Sequence, residues 1–172
     1  MQDEQTQRDH TGAEEHDAAR QVHQIVVFTL ADQLYALELA AVERVLPMVE
    51  VVPIPDAPAV VLGVISIHGD VVPVVDVRRR FGLPSSTHGV STQLLVARSA
   101  RRNLALPVDH VLGVKEVPGD AVAPPGSILP DLGRLAGIAQ LGDNLVLIHD
   151  LDAFLSLDEE RSLTYVLREM RP

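Results

Sequence analysis

Ser66, His68 and Asp70 have the types that a hydrolytic relay needs: a nucleophile, a base, and an acid to orient it. Their spacing works against that chemistry. Side chains two residues apart on a strand are separated by about 6.5–7 Å along its axis. Gly69-Asp70 also reads as a turn. A nucleophile elbow requires glycine two residues before and after the serine, and those positions hold Val64 and His68. Gly113-Val114-Lys115 has neither the glycine spacing nor the following hydroxyl residue of a phosphate-cradling loop. For metals, His68 with Asp70, and His149 with Asp150 and Asp152, offer ligand types. Their simpler readings are a turn histidine and a helix-capping cluster. His10, His16 and His23 are too scattered to form a site. The expectation is therefore no catalytic residue, no cofactor and no metal. The enzyme reading left open is a small hydrolase using His68 and Asp70.

The composition narrows the partners. The 172-residue chain has a formal net charge of −10, and its basic clusters are Arg78-Arg79-Arg80 and Arg101-Arg102. Each cluster reads as a solvated loop or helix end. Nucleic acid is not expected, because phosphate binding needs extended basic surface. Aromatic residues make up 3% and tryptophan is absent, which removes stacking platforms for bases. There is no cysteine, so disulfides and thiolate metal sites are excluded. No apolar run approaches the roughly 20 residues that cross a bilayer, and the first twenty residues are polar. The expectation is a cytoplasmic protein with no direct membrane insertion.

The elements that would position any site are short strands. Residues 1–22 hold six acids and two arginines with almost no large apolar side chain. The stretch 1–23 is therefore expected to be a disordered acidic tail. Ile25 to Leu30 and Leu34 to Leu39 read as a hairpin around Ala31-Asp32-Gln33. A short helical turn over Ala40 to Arg44 and an extended stretch to Val52 follow. Pro53, Pro55 and Pro58 then exclude helix or central strand. Val60 to Ile67 and Val71 to Val77 flank His68-Gly69-Asp70, and Asp76 can cap a short helix reaching Phe81. Pro73 inside the second run implies an edge strand or a bulge.

Gly82 to Ser91 reads as a linker. Beyond it come strands over Thr92 to Ala97, Asn103 to Val108 and Val111 to Val117, with Asp109-His110 as a turn. Val117 to Gly133 holds four prolines and reads mostly as loop. Leu135 to Leu141 and Asn144 to His149 pair around Gly142-Asp143. The two blocks resemble each other. Gly63-Val64, Ile67, Gly69-Asp70 and Asp76-Val77 match Gly137-Ile138, Leu141, Gly142-Asp143 and Asp150-Leu151. Two similar sets of short strands with regular turns point to small β-barrels. Asp150 can cap Leu151 to Leu157. Leu163, Val166, Leu167 and Met170 make one apolar stripe, so 158–172 is expected to be an amphipathic helix packed back on the barrels.

An ordered set of segments resembles a known family. Val27-Phe28-Thr29-Leu30, Leu34-Tyr35-Ala36-Leu37, Val42, Pro53-Ile54-Pro55-Asp56-Ala57-Pro58, Gly63 to Gly69 and Val72-Pro73-Val74-Val75-Asp76-Val77 are similar to the N-terminal half of CheW-like domains. Leu106 to Val114 and Leu135-Ala136-Gly137-Ile138 agree with the second half. The resemblance runs from about Gln24 to Leu157. It implies two intertwined five-stranded SH3-like barrels sharing a hydrophobic core, in a mainly β domain over 24–157. It implies a non-catalytic adaptor between the cytoplasmic tip of a chemoreceptor and the regulatory domain of a CheA-type histidine kinase. An auxiliary scaffold of a pilus-motility or other chemosensory-type array is the alternative within the same fold.

By that resemblance, receptor contacts fall in the groove between barrels, at Val42, Val45, Val64, Ile65, His68, Val108 and Val111. Kinase contacts fall on barrel-end loops, at Asp56, Ala57 and Pro58. Two positions depart from the family pattern. His68 stands where the family usually has an arginine before a glycine, and Arg44 stands where it usually has a glutamate. In typical members those two can pair as acid and base. Here that ion pair cannot form, which bears on partner choice.

Overall fold

The computed structural model describes residues 21–124 and 135–171. The expected acidic tail thus lies outside the described residues up to position 20. Strand β1 (Val22–Leu30) begins earlier than expected, so Val22 and His23 belong to a strand and not to the tail. Ten more strands follow: β2 (Gln33–Glu38), β3 (Val42–Pro47), β4 (Val61–Ile67), β5 (Asp70–Val75), β6 (Gln93–Arg98), β7 (Asn103–Val108), β8 (His110–Pro118), β9 (Val122–Ala123), β10 (Leu135–Leu141) and β11 (Asn144–His149). Helix α1 spans Val77–Arg80 and helix α2 spans Leu157–Glu169. The expected helical turn over Ala40 to Arg44 is a single 3-10 turn at Leu39–Ala41, after which the chain is already extended.

The strands form two sheets. One has the order β8-β1-β2-β11-β10-β9 and the other β3-β6-β7-β5-β4. Both are antiparallel except for one parallel join each, β11 with β2 and β5 with β7. Together with the short helices they make the mainly β, two-barrel architecture expected, the first sheet carrying the two-residue β9 as an extra edge piece. Its division along the chain was not expected. The second sheet is contiguous, from Val42 to Val108, whereas the first combines β1 and β2 with everything after His110. The stretch Gly82 to Ser91 is therefore no boundary between barrels, since β6 and β7 complete the sheet that β3 to β5 begin.

Local chemistry explains the tight turns. Ala31 and Asp32 have φ of 49° and 63°, and His68 and Gly69 have 50° and 90°. Positive φ at both central residues matches a two-residue hairpin to the right-handed twist of its strands. The β4–β5 loop is thus His68-Gly69, with Asp70 already paired to Ile67. Pro73 does not lie on an edge, because β5 sits between β4 and β7. It is tolerated because β5 meets β7 at one register pair, Val74 with Ala105, leaving most of that side without ladder bonds to lose.

Each sheet encloses its own apolar cluster: Ile25, Val27, Ala36 and Ile148 in the first, and Ile65, Val72, Leu94 and Val96 in the second. A larger third cluster joins them, drawing Phe28, Tyr35 and Leu37 from one sheet and Leu95, Leu104 and Leu106 from the other. All three phenylalanines and Tyr35 meet there, with His149 stacked 4.0 Å from Phe81 between ring centroids. Asp150 caps one 3-10 turn, Leu151–Ala153, and not a helix to Leu157. Helix α2 instead starts from Ser156, whose hydroxyl accepts from the Glu159 N–H while the Glu159 carboxylate accepts from the Ser156 N–H. Leu163 seals α2 onto the shared cluster.

Candidate partner-binding site

The residues assigned to the groove separate by exposure. Val64, Ile65 and Val108 are 6%, 4% and 1% exposed. Their side chains face the interior, so they offer a partner no surface in this conformation, and that part of the expectation is corrected. Both faces are covered there: β7 lies between β6 and β5, while β4 ends its sheet and is closed at Val64 by the bridge to Val52. Val42 and Val111 behave differently. Both are half-buried on the shared cluster, Val42 from β3 and Val111 from β8. Each of those strands is one edge of its sheet. Val45 lies opposite Leu95 in register and is exposed. Gln93 ties the two sheets together, its side-chain carbonyl on β6 accepting from the Val111 N–H of β8 at 2.7 Å. Val42 and Val111 therefore both pack on the cluster that the barrels share, and Val45 lies exposed further along β3.

The second assigned group sits on the proline-bearing segment between β3 and β4. Asp56 is exposed with a φ of 60°, at the tip of a turn, while Ala57 and Pro58 are half-buried. Ala57 packs on the shared cluster. The Pro58 carbonyl accepts from the Val61 N–H at 2.8 Å, and Val52 bridges to Val64. Gly63 makes that bridge possible, since a Cβ there would stand 2.2 Å from the Val52 carbonyl oxygen. The loop is thus held at three points and presents Asp56 outward.

A family model for the CheW-like domain matches residues 24–159. The chain belongs to the CheW-like domain family. It is 28% identical to the chemotaxis protein CheW of Rhizobium meliloti (strain 1021) over 81% of this chain and 91% of that protein. It is 24% identical to the chemotaxis protein CheW of Klebsiella aerogenes over 79% and 83%. The crystal structure of the scaffolding protein TtCheW from Thermoanaerobacter tengcongensis superposes with a TM-score of 0.74 at 27% identity. That match covers 81% of this chain and 96% of the other. A chemotaxis scaffold of the CheW type is the reading that fold and relatives share.

Against that family pattern the two departures acquire a geometry. Arg44 and His68 are neighbours, with the Arg44 guanidinium 3.4 Å from the His68 Nδ1. A guanidinium only donates, so Nδ1 accepts in this contact. His68 is therefore not unpaired, as the lost ion pair had implied. This is the hydrogen bond its ring makes among the described residues, and it commits Nδ1 away from a relay with Ser66 or Asp70. The other acidic group is also engaged. Asp150 accepts from the Asp152 N–H at 3.0 Å, and Asp152 accepts from the Ala100 N–H at 2.6 Å. Among the described residues no group of three metal-ligating side chains occurs, and no helix is long and apolar enough to cross a membrane.

The ties between elements escaped the sequence. Arg78 donates to both oxygens of Asp109, at 2.8 and 2.7 Å, and the Ala31 N–H donates to one of them at 2.9 Å. Asp109 thereby clamps α1 and the β1–β2 turn to the β7–β8 connection. Burial pushes its carboxyl up, but the Arg78 and Ala31 hydrogen bonds and the Arg78 charge outweigh burial and hold it below the usual carboxylate range. Arg80 pairs with Glu159, and Arg102 pairs with the buried Glu160 at 2.9 Å. The basic clusters are thus largely not solvated: Arg78 and Arg80 are each 11% exposed at the side chain. Nothing in their spacing announces acids 31 and 79 residues away. The capping box Ser156-x-x-Glu159, by contrast, was there to be read.

Proposed function

We propose that this chain is a non-catalytic adaptor joining the cytoplasmic tip of a chemoreceptor to the regulatory domain of a CheA-type histidine kinase. The observation that carries the proposal is the pair Val42 and Val111, one from an edge strand of each sheet, half-buried on a single shared cluster. Apolar surface shared by two rigid barrels suits an amphipathic helix laid along it, the helix-in-groove mode, and needs no reactive side chain. The receptor tip is that helix in this reading, with Val45 and His68 at the margin of its footprint. Asp56, Ala57 and Pro58 form the kinase contact. Their loop's fixed geometry keeps the entropy lost on docking small.

Membership of the CheW-like family and the scaffold fold support this reading. Calorimetric titration tests it, with a receptor cytoplasmic fragment and a kinase regulatory domain as separate ligands. Saturable binding to both is expected. A folded protein that binds neither overturns it. The Arg44–His68 contact favours a second reading, an auxiliary scaffold matched to its own pilus-motility or other chemosensory-type array. An arginine and a histidine stand where the family pairs acid with base, so a conventional receptor meets a different charge pattern. Arg44→Glu with His68→Arg restores the usual pattern. It is expected to shift affinity toward conventional receptors, and an unchanged preference sinks the second reading.

A further inference from the structure

We propose that the outer face of α2, together with the β6–β7 turn, docks an acidic protein segment that carries an apolar anchor. This surface is separate from the groove between barrels and borders Asp56 of the proposed kinase contact, but its basic half is distinct from both and the proposal does not depend on the adaptor reading. Arg101, Arg102, Arg161 and Arg168 line one open depression with Thr164 and Tyr165. That gathers 4 of the chain's 14 basic residues in a protein whose net charge is −10. Arg102 is already satisfied by Glu160 and Thr164 and acts as the floor. Arg161 has a loose contact with Asp158 at 3.8 Å, both side chains largely in water. Arg101 and Arg168 have no carboxylate within ion-pair distance among the described residues, and both are exposed. The guanidiniums facing outward are therefore available for bidentate contact with carboxylates.

Helical spacing gives the surface its second half. Arg161, Tyr165 and Arg168 recur at i, i+4 and i+7, on one stripe of α2. Ser162, Val166 and Met170 form the next stripe, which faces Ile54 and Pro55 across a mainly apolar groove with the carboxylates of Asp56 and Glu169 at its lining, so an occupant's acids must point to the arginine side. Tyr165 borders both hollows and is 67% exposed, so the basic and apolar surfaces are continuous. An occupant matching both has acids on one side and an apolar side chain to enter beside Val166. Charge also selects its size. Screening confines the patch's field to about 8 Å at physiological salt. A nucleic acid or an anionic bilayer extends beyond that range and meets the surrounding negative surface, whereas a short acidic segment covers only the arginines.

The test uses the full chain and a fluorescein-labelled peptide of glutamates flanking one leucine, read by anisotropy at physiological salt. The same peptide with glutamines, a labelled peptide of residues 1–20, and phosphatidylserine vesicles serve as further probes. Saturable binding of the glutamate peptide is expected. Arg161→Glu with Arg168→Glu should weaken it at least about tenfold, as should Arg101→Glu with Arg168→Glu, with melting curves lowered only slightly, by the lost Arg168 charge in the last turn of α2 and the Arg161 contact with Asp158. Absence of binding, equal binding of the glutamine peptide, or indifference to both double variants overturns the proposal. Tighter binding of vesicles assigns the patch to a lipid surface, and tighter binding of the 1–20 peptide assigns it to the chain's own acidic stretch. Either result also overturns it.

Discussion

The two barrels are built from matching parts and closed in different ways. Each has a hairpin whose first strand is bulged at a glycine, Gly63 in β4 and Gly137 in β10. Each glycine admits a preceding piece of chain, Val52 in one barrel and β9 in the other. Each hairpin ends in an aspartate that caps a short turn of helix, Asp76 or Asp150. The difference is in the strands that complete the sheet. The barrel over Val42 to Val108 takes them from adjacent sequence, while the other joins β2 to β11 across most of the chain. Identical local chemistry can thus serve a local or a long-range closure, and the shared cluster makes the two barrels one cooperative body.

The largest test of that cooperativity is Phe154→Ala. Phe154 is fully buried in the shared cluster, and its removal is expected to cost about 4 kcal/mol. Denaturant unfolding followed by probes in each barrel should stay a single transition. Two separated transitions would break the idea of one body. The glycines sharpen the comparison. Gly63 has φ of 152°, and its added Cβ meets the Val52 backbone. At Gly137 the added Cβ meets the Val122 Cγ1 at 2.6 Å, a side chain on a two-residue edge strand. Gly63→Ala should cost about 3 kcal/mol and Gly137→Ala about 1 kcal/mol, because backbone yields less than an edge side chain. Equal losses would show that the two bulges are not held by different means.

On β3, Val45→Asp is expected to weaken receptor-fragment binding by about 10- to 100-fold while moving stability little, since Val45 is already 38% exposed. Retained affinity would move the receptor footprint elsewhere. The smallest effect concerns acid. Asp109 has a folded-state pKa held down, so its stabilising contribution is present above the unfolded value of about 4 and is lost as pH falls through the folded one. Glu159 behaves likewise: burial raises its carboxyl, but Arg80 and the Ser156 N–H outweigh that and hold it low. Asp109→Asn should therefore flatten the acid limb of the stability curve. An unchanged limb would remove Asp109 from the clasp between the barrels.

Much of this was legible, for reasons that local chemistry explains. The hairpin turns, the Asp76 cap and the Gly63/Gly137 correspondence all rest on residues within a few positions of one another. The same is true of the apolar stripe of α2, whose start at Leu157 falls one residue before the expected 158, although Asp150 caps only a 3-10 turn. What could not be read depends on pairings between distant residues. β3 leaves β2 to pair with β6, and Asp109 looks like any turn aspartate until Arg78 arrives. The groove list fared unevenly for the same reason. Val42 and Val64 are both valines on strands, and only the neighbours on each side decide that one stays half-exposed and the other is covered.

The join of β2 to β11 also sets a schedule for synthesis. Every strand of the Val42 to Val108 barrel has emerged from the ribosome while β11 is still unmade. The β1–β2 hairpin, finished at Glu38, then waits roughly 5–20 s for His149 at ordinary elongation rates. Over that interval the edge of β2 that will receive β11 is open, and it carries Leu34, Ala36 and their apolar neighbours. An open edge of that kind invites pairing with another nascent chain. The stretch between Glu38 and Asn144 is therefore a place where slow codons or a missing chaperone should lower the yield of folded protein, with no change to any contact in the finished molecule.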